Sequence, residues 1–150
     1  MGDPSNIGMM AGAFFVGRME LLTWVNETLQ LNVSKVEQCC TGAIYAQIID
    51  AVHPGKVPMS KLKWAARNEP DYIHNFKVLQ QALNSLNVTR AVDVQKLVRG
   101  KYQDNLEMLQ WFHCYYDRNG PSADYDPVQL AFFCRLYPQE DVEQWRLAEL

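Results

Sequence analysis

The sequence predicts an all-α fold of about four main helices joined by shorter ones. Three observations predict it. Apolar residues recur at three- and four-residue steps in several separate stretches. No Asn-Gly or Asp-Gly hairpin turn joins alternating β-branched runs. Helix start and stop residues flank the apolar stretches. The 150 residues are 48% hydrophobic and 21% charged, which fits one domain with a packed core and excludes a disordered chain.

Taken in order, the chain opens on an apolar segment, Ile7 to Gly17. It has only Asp3 before it and is too short to span a bilayer, so it reads neither as a secretory signal nor as a membrane anchor. Asn6 in place of Ser or Thr, with Pro4 beside it, argues against myristoylation of Gly2. Residues 1–17 are expected to form a flexible arm. Leu22, Val25 and Leu29, with Leu21 beside them, share one face and predict a first helix over about Arg18–Gln30, begun at Gly17.

Ser34-Lys35-Val36-Glu37 has the spacing of a capping box and predicts a short helix. Ile44, Ile48, Ile49 and Val52 line the next apolar face, which stops before His53-Pro54-Gly55. His53 is expected to sit there as a partly charged end to the helix dipole. Lys56 to Asn68 has no sustained period and predicts an ordered loop, with Leu62 and Trp64 inward and Lys61 and Lys63 outward. Ile73, Phe76, Leu79, Leu83 and Leu86 predict a long helix over about Asp71–Leu86, expected to be the spine of the core.

Asp93 is placed to cap a short helix, Val94–Val98, ended by Gly100. Leu106, Leu109, Phe112 and Tyr116 predict the last core helix, about Gln103–Tyr116. Asp126-Pro127 is a helix-start signal, and residues 129–150 are expected to form an extension, partly helical and packed on the domain. Trp24, Trp64 and Trp111 fall in core-facing patterns, while Trp145 has no placement.

The chemistry that the residues exclude is as informative. Phosphate-binding glycine patterns are missing. Cys39, Cys40, Cys114 and Cys134 lack zinc or C-x-x-C spacing and read as reduced, mostly buried thiols of a cytosolic protein. The glycosylation-type triplets at Asn26, Asn32 and Asn87 are chance matches in such a protein. His53, His74 and His113 are too scattered to hold a metal, and adjacent His113 and Cys114 diverge on a helix. No catalytic constellation, metal site or cofactor site emerges, so the chain is expected not to be an enzyme.

The net charge of −3 argues against nucleic acid as a partner. That charge is unevenly spread: residues 1–55 carry −3, residues 56–101 carry +6, and residues 102–150 carry −6. A basic middle in an acidic chain predicts an attractive face for an acidic partner. The cations gather at two loops and a helix start, without acidic neighbours in the local sequence to pair them off.

Several long stretches carry a resemblance. "LLTWVNETLQLNVSKVEQCCTGAIYAQIIDAVHPGKV", "DYIHNFKVLQQALNSLNV", "VDVQKLVRGKYQDNLEMLQWF" and "YDRNGPSADYDPV" resemble the N-terminal calponin-homology domain of the microtubule end-binding family, over about Arg18 to Val128. The resemblance implies a calponin-homology fold over 18–128 and a binding function without catalysis. It implies docking of a basic face between tubulin protofilaments at growing microtubule plus ends, and regulation of microtubule dynamics there. The contacting positions it carries over are Lys61, Arg67, Arg90, Lys101, Gln103 and Asp104, with Lys63 and Arg99 nearby. It also implies a place in the cytoplasm, on the cytoskeleton, including the spindle or a flagellum.

The departures from the family pattern have consequences. Ser60 stands where a second Lys is usual, and His113 and Cys114 stand where cations are usual, which predicts weaker or more salt-sensitive binding. Arg67 and Arg90 replace Lys, keeping the charge and changing the donor geometry. After Val128 the apolar and acidic sequence differs from the family's basic linker, coiled coil and acidic-aromatic tail. The chain as given is therefore expected to be monomeric, with any dimerisation left to a coiled coil outside it. The competing reading keeps the fold and changes the partner: an adaptor for actin or for another cytoskeletal or flagellar protein.

Overall fold

Ala43–Val52 is apolar on nearly every side, and a helix of that kind belongs inside a protein rather than on its surface. In the computed structural model, which describes residues 16–121, every residue from Ala43 to Ala51 is buried. This helix, α2, is the centre of the molecule. Its predecessor α1 (Arg18–Leu29) lays Leu21, Leu22, Val25 and Leu29 on the core. It is followed by α3 (Glu69–Ser85), a short α4 (Val94–Leu97) and α5 (Tyr102–Asn119). Two 3₁₀ segments, Val36–Thr41 and Met59–Lys61, complete the order, and the described residues contain no strand. Helices α3 and α5 pack on α2 and on the Val36–Thr41 segment, and α1 leans on α5.

Local rules account for most boundaries. α1 ends where Gln30 turns left-handed at φ 56°. The side-chain amide of Asn26 then holds Val33 at both ends, its Oδ1 accepting from the Val33 N–H at 2.7 Å and its Nδ2 donating to the Val33 carbonyl at 3.0 Å. The chain is thereby folded back under the helix. α3 starts earlier than its apolar period suggests, because Asn68 caps it, accepting from the Asp71 N–H at 3.1 Å, with Pro70 in the first turn. Asp93 caps α4 in the same way, accepting from the Lys96 N–H.

Several expectations are corrected. The segment after Ser34 is a 3₁₀ helix, and the capping side chain is Gln38, not Glu37. Its Oε1 accepts from the N–H groups of Ser34 and Lys35, both at 2.8 Å. The core spine is α2, not α3: α3 exposes Lys77, Gln81, Asn84 and Ser85, whereas α2 is enclosed. On α5 the buried face runs through Asn105, Met108, Leu109, Phe112 and Tyr115, with Leu106 and Tyr116 only half-buried. A polar residue at the first core position concealed the true register. Trp64 and Trp111 lie in the core as expected, while Trp24 is half-buried, its ring edge-on to His113 and Tyr116.

His53 also departs from its expected role. It ends α2, but burial, with Lys56 second, lowers its pKa, so it terminates the helix as a neutral ring hydrogen-bonded to the Tyr115 hydroxyl at 2.7 Å. Desolvation outweighs the dipole here. Cys39 and Cys114 are buried, Cys40 is half-buried, and none of the three is in a disulfide among the described residues. The arm before Val16, the helix start at Asp126-Pro127, the extension 129–150, Cys134 and Trp145 lie outside the described residues.

Candidate functional site

The eight singled-out side chains stand on three segments: the loop through Lys61, Lys63 and Arg67; the approach to α4, with Arg90; and the corner from α4 into α5, with Arg99, Lys101, Gln103 and Asp104. The first loop is shaped by its apolar members. Leu62 and Trp64 are fully buried, which turns Lys61 and Arg67 to solvent. His74 of α3 bonds the Lys61 carbonyl at 2.7 Å. Lys63 does not stand free as expected: its ammonium pairs with Asp71 of α3 at 3.1 Å. Both partners keep substantial exposure, so this pair contributes at most about 1 kcal/mol. Lys96 similarly meets Asp93 at 4.0 Å on the surface. The expectation that the cations lack acidic partners is corrected at these two positions.

Arg90 is built in more deeply than a surface cation. Its guanidinium carbon lies 5.8 Å from the centre of the buried Trp111 ring, a cation–π arrangement. Its Nε is buried without a hydrogen-bond partner among the described residues. It shares an open cleft of about 150 Å³ with Asp93, Lys96, Asp104, Glu107 and Met108. The structure thus brings Arg90 and Asp104 to one place, and it adds Lys96 and Glu107 to the residues picked from sequence. Gln103 is exposed and donates to Glu107 Oε1 at 3.0 Å. Arg99 and Lys101 are exposed, like Lys61 and Arg67, and these four have no ion pair or side-chain hydrogen bond among the described residues.

Sequence reasoning missed the residues that hold these corners. Asn75 of α3 is fully buried. It accepts from the Lys63 N–H at 2.7 Å and donates to the Lys63 and Thr41 carbonyls at 3.1 and 2.9 Å. Asn105 of α5 is also fully buried. It donates to the Leu97 and Lys101 carbonyls at 3.1 and 3.2 Å and accepts from the Tyr45 hydroxyl at 2.8 Å. Burial, with the Cys39 thiol second, raises the Tyr45 pKa, so the phenol keeps its proton and donates. The available signal was an asparagine at a core register position, three residues before Met108 and four before Leu109.

Among the described residues no group of three or more His, Cys, Asp or Glu side chains can hold a metal ion. Nor is any helix among them long and apolar enough to cross a membrane. What the arrangement offers is a charged surface: exposed cations at two corners, with a mixed-charge cleft beside the second.

Comparison with known proteins gives this surface a context. Residues 16–120 match the calponin homology (CH) domain family. The Arabidopsis thaliana protein "Microtubule-associated protein RP/EB family member 1C" is 50% identical over 126 residues, covering 83% of this chain and 38% of that protein. Its relative "Microtubule-associated protein RP/EB family member 1A", also from Arabidopsis thaliana, is 47% identical over 128 residues, covering 83% of this chain and 46% of that protein. The chain therefore spans less than half the length of either relative. A solved structure described as "Structural Basis of Microtubule Plus End Tracking by XMAP215, CLIP-170 and EB1" superposes with a TM-score of 0.73 at 40% identity, over 81% of this chain and 99% of that one. A helical fold, a family match across nearly all of the described residues and relatives of one kind lead to one conclusion: the chain belongs to the calponin homology domain family, in its RP/EB end-binding branch.

Proposed function

We propose that residues 18–128 form the microtubule-binding module of a plus-end-tracking end-binding protein, which docks a basic face on the tubulin lattice at growing ends and regulates microtubule dynamics. The face comprises Lys61, Lys63, Arg67, Arg90, Arg99, Lys101, Gln103 and Asp104. One observation carries this assignment. Lys61, Arg67, Arg99 and Lys101 stand exposed at two corners of one core, without acidic partners among the described residues. Unpaired cations on a rigid scaffold supply attraction, and polar neighbours such as Gln103 and Asp104 supply specificity. The acidic surface of tubulin fits that chemistry, and the names of the relatives support tubulin as the partner.

The module acts by binding, without catalysis, and its place is on the microtubule cytoskeleton. Co-sedimentation with microtubules tests the reading. The wild-type chain should pellet with them, and a variant carrying both Lys61→Glu and Arg90→Glu should lose at least about tenfold in affinity, since like-charge contacts cost several kcal/mol. Undiminished binding by that variant would refute the face, and preferential binding to actin filaments would refute the function.

A further inference from the structure

We infer that Asn75 and Asn105 are positioning residues for the microtubule-binding face: each fastens one basic corner to the same short stretch, Thr41–Tyr45, so the spacing between corners is fixed by the core before any partner arrives. The inference rests on the reading proposed above. Asn75 ties the Lys63 backbone, on both its N–H and its carbonyl, to the Thr41 carbonyl. Asn105 ties the Leu97 and Lys101 carbonyls to the Tyr45 hydroxyl. The two clamps come from different helices and reach the same short stretch, Asn75 through the Thr41 carbonyl and Asn105 through the Tyr45 side-chain hydroxyl.

That stretch is itself constrained. Gly42 lies between the two anchor residues at φ +82°, and a Cβ there would sit 3.2 Å from Asn75 Cβ and 3.2 Å from the Phe76 ring. Cys40, one residue before Thr41, abuts Gly100 of the second corner, where an added Cβ would lie 3.8 Å from its Cβ and Sγ. Leucine would fill either asparagine site with apolar volume more simply. An amide is directional: it satisfies the carbonyls of a loop only when the loop holds one position. A face whose corners are already spaced loses less freedom on docking and rejects a surface whose acidic sites are spaced differently.

The test uses Tyr45→Phe, which keeps the ring in the core and removes only the hydroxyl that anchors Asn105. Asn75→Leu is the stronger companion variant. Ile48→Val, on the same helix but in neither clamp, is the control for general destabilisation. Tyr45→Phe should weaken microtubule binding by about 3–10-fold, the range reached when the stability lost with one buried hydrogen bond passes wholly to the corner it holds, and leave the salt dependence of binding unchanged because no charge is lost. Lys101→Glu should flatten that salt dependence. Ile48→Val should bind as wild type. Wild-type affinity in Tyr45→Phe, or an equal loss in Ile48→Val, would overturn the inference.

Should the wild-type chain fail to bind microtubules, the proposed function fails by itself. The clamps are then judged by amide hydrogen exchange. Faster exchange at Gly100 and Asn105 in Tyr45→Phe than in Ile48→Val upholds the clamp, and equal exchange overturns it.

Discussion

Arg90 shows how much one side chain can combine. Its guanidinium lies over the Trp111 ring at 5.8 Å from the centre, its Nε is buried without a hydrogen-bond partner among the described residues, and it lines the cleft shared with Asp104. Lysine would keep the charge and lose the planar, weakly hydrated guanidinium over the indole. Arg90→Lys should therefore cost about 0.5–1 kcal/mol of stability in urea denaturation and weaken microtubule binding several-fold; unchanged values in both would show the cation–π arrangement to be incidental. His53 supplies a second prediction at this scale. Its pKa is lowered in the fold, mainly by burial, so the unfolded chain takes up the proton first as pH falls. The stability it contributes is complete above the ordinary histidine value of about 6.5 and is lost as pH drops through the lower folded value. Unfolding free energy measured from pH 7.5 to pH 5 should decline over that window, and His53→Gln should shrink the decline. A stability that rises on acidification would contradict the assignment.

At the scale of elements, caps decide where helices begin. Asn68 satisfies an otherwise unpaired amide at the start of α3, the helix that carries Asn75 and Asp71. Asn68→Ala should cost about 1 kcal/mol, seen as a lower denaturation midpoint, with Asn68→Gly costing less. No change would mean that water replaces the cap. Helix existence was legible in the sequence wherever apolar residues kept their period: α1, α2, α3 and α5 all appear, and Asp93 caps α4 as its position suggests. What escaped were features that the apolar pattern cannot encode. The face of α5 was read around Leu106 because its true first core residue is Asn105, and α2 was read as one-sided although Tyr45, Gln47 and Asp50 are buried as well. A buried polar residue becomes visible only once its partners are known, and those partners lie up to 60 residues away in sequence.

At the scale of the molecule, charge and stability are largely separate matters. The core is mainly apolar and aromatic, its buried polar side chains include no lysine or arginine among the described residues, and the two Lys–Asp pairs described are both at least partly exposed. The basic middle faces outward. Raising salt from about 50 to 200 mM should therefore lower microtubule affinity by about an order of magnitude while moving the urea midpoint little, because screening acts on exposed charges and spares buried apolar contacts. A parallel loss of both would mean that the cations hold the fold rather than the partner. The uneven charge was plain in the sequence. Its division into two corners was not, because Lys63 and Lys101 are brought into relation by Asn75, Thr41, Tyr45 and Asn105, residues far apart in sequence.

The placing of Arg90 over Trp111 has an optical consequence. An indole emits according to the charges around it, and this one has a cation 5.8 Å from its centre at the edge of the proposed docking surface. A partner that draws the guanidinium outward changes the surroundings of Trp111 and of no other described tryptophan, since Trp64 is sealed in the core and Trp24 lies against His113 and Tyr116. Docking should therefore register in the protein's own fluorescence, without a label, and Arg90→Ala should abolish that part of the signal.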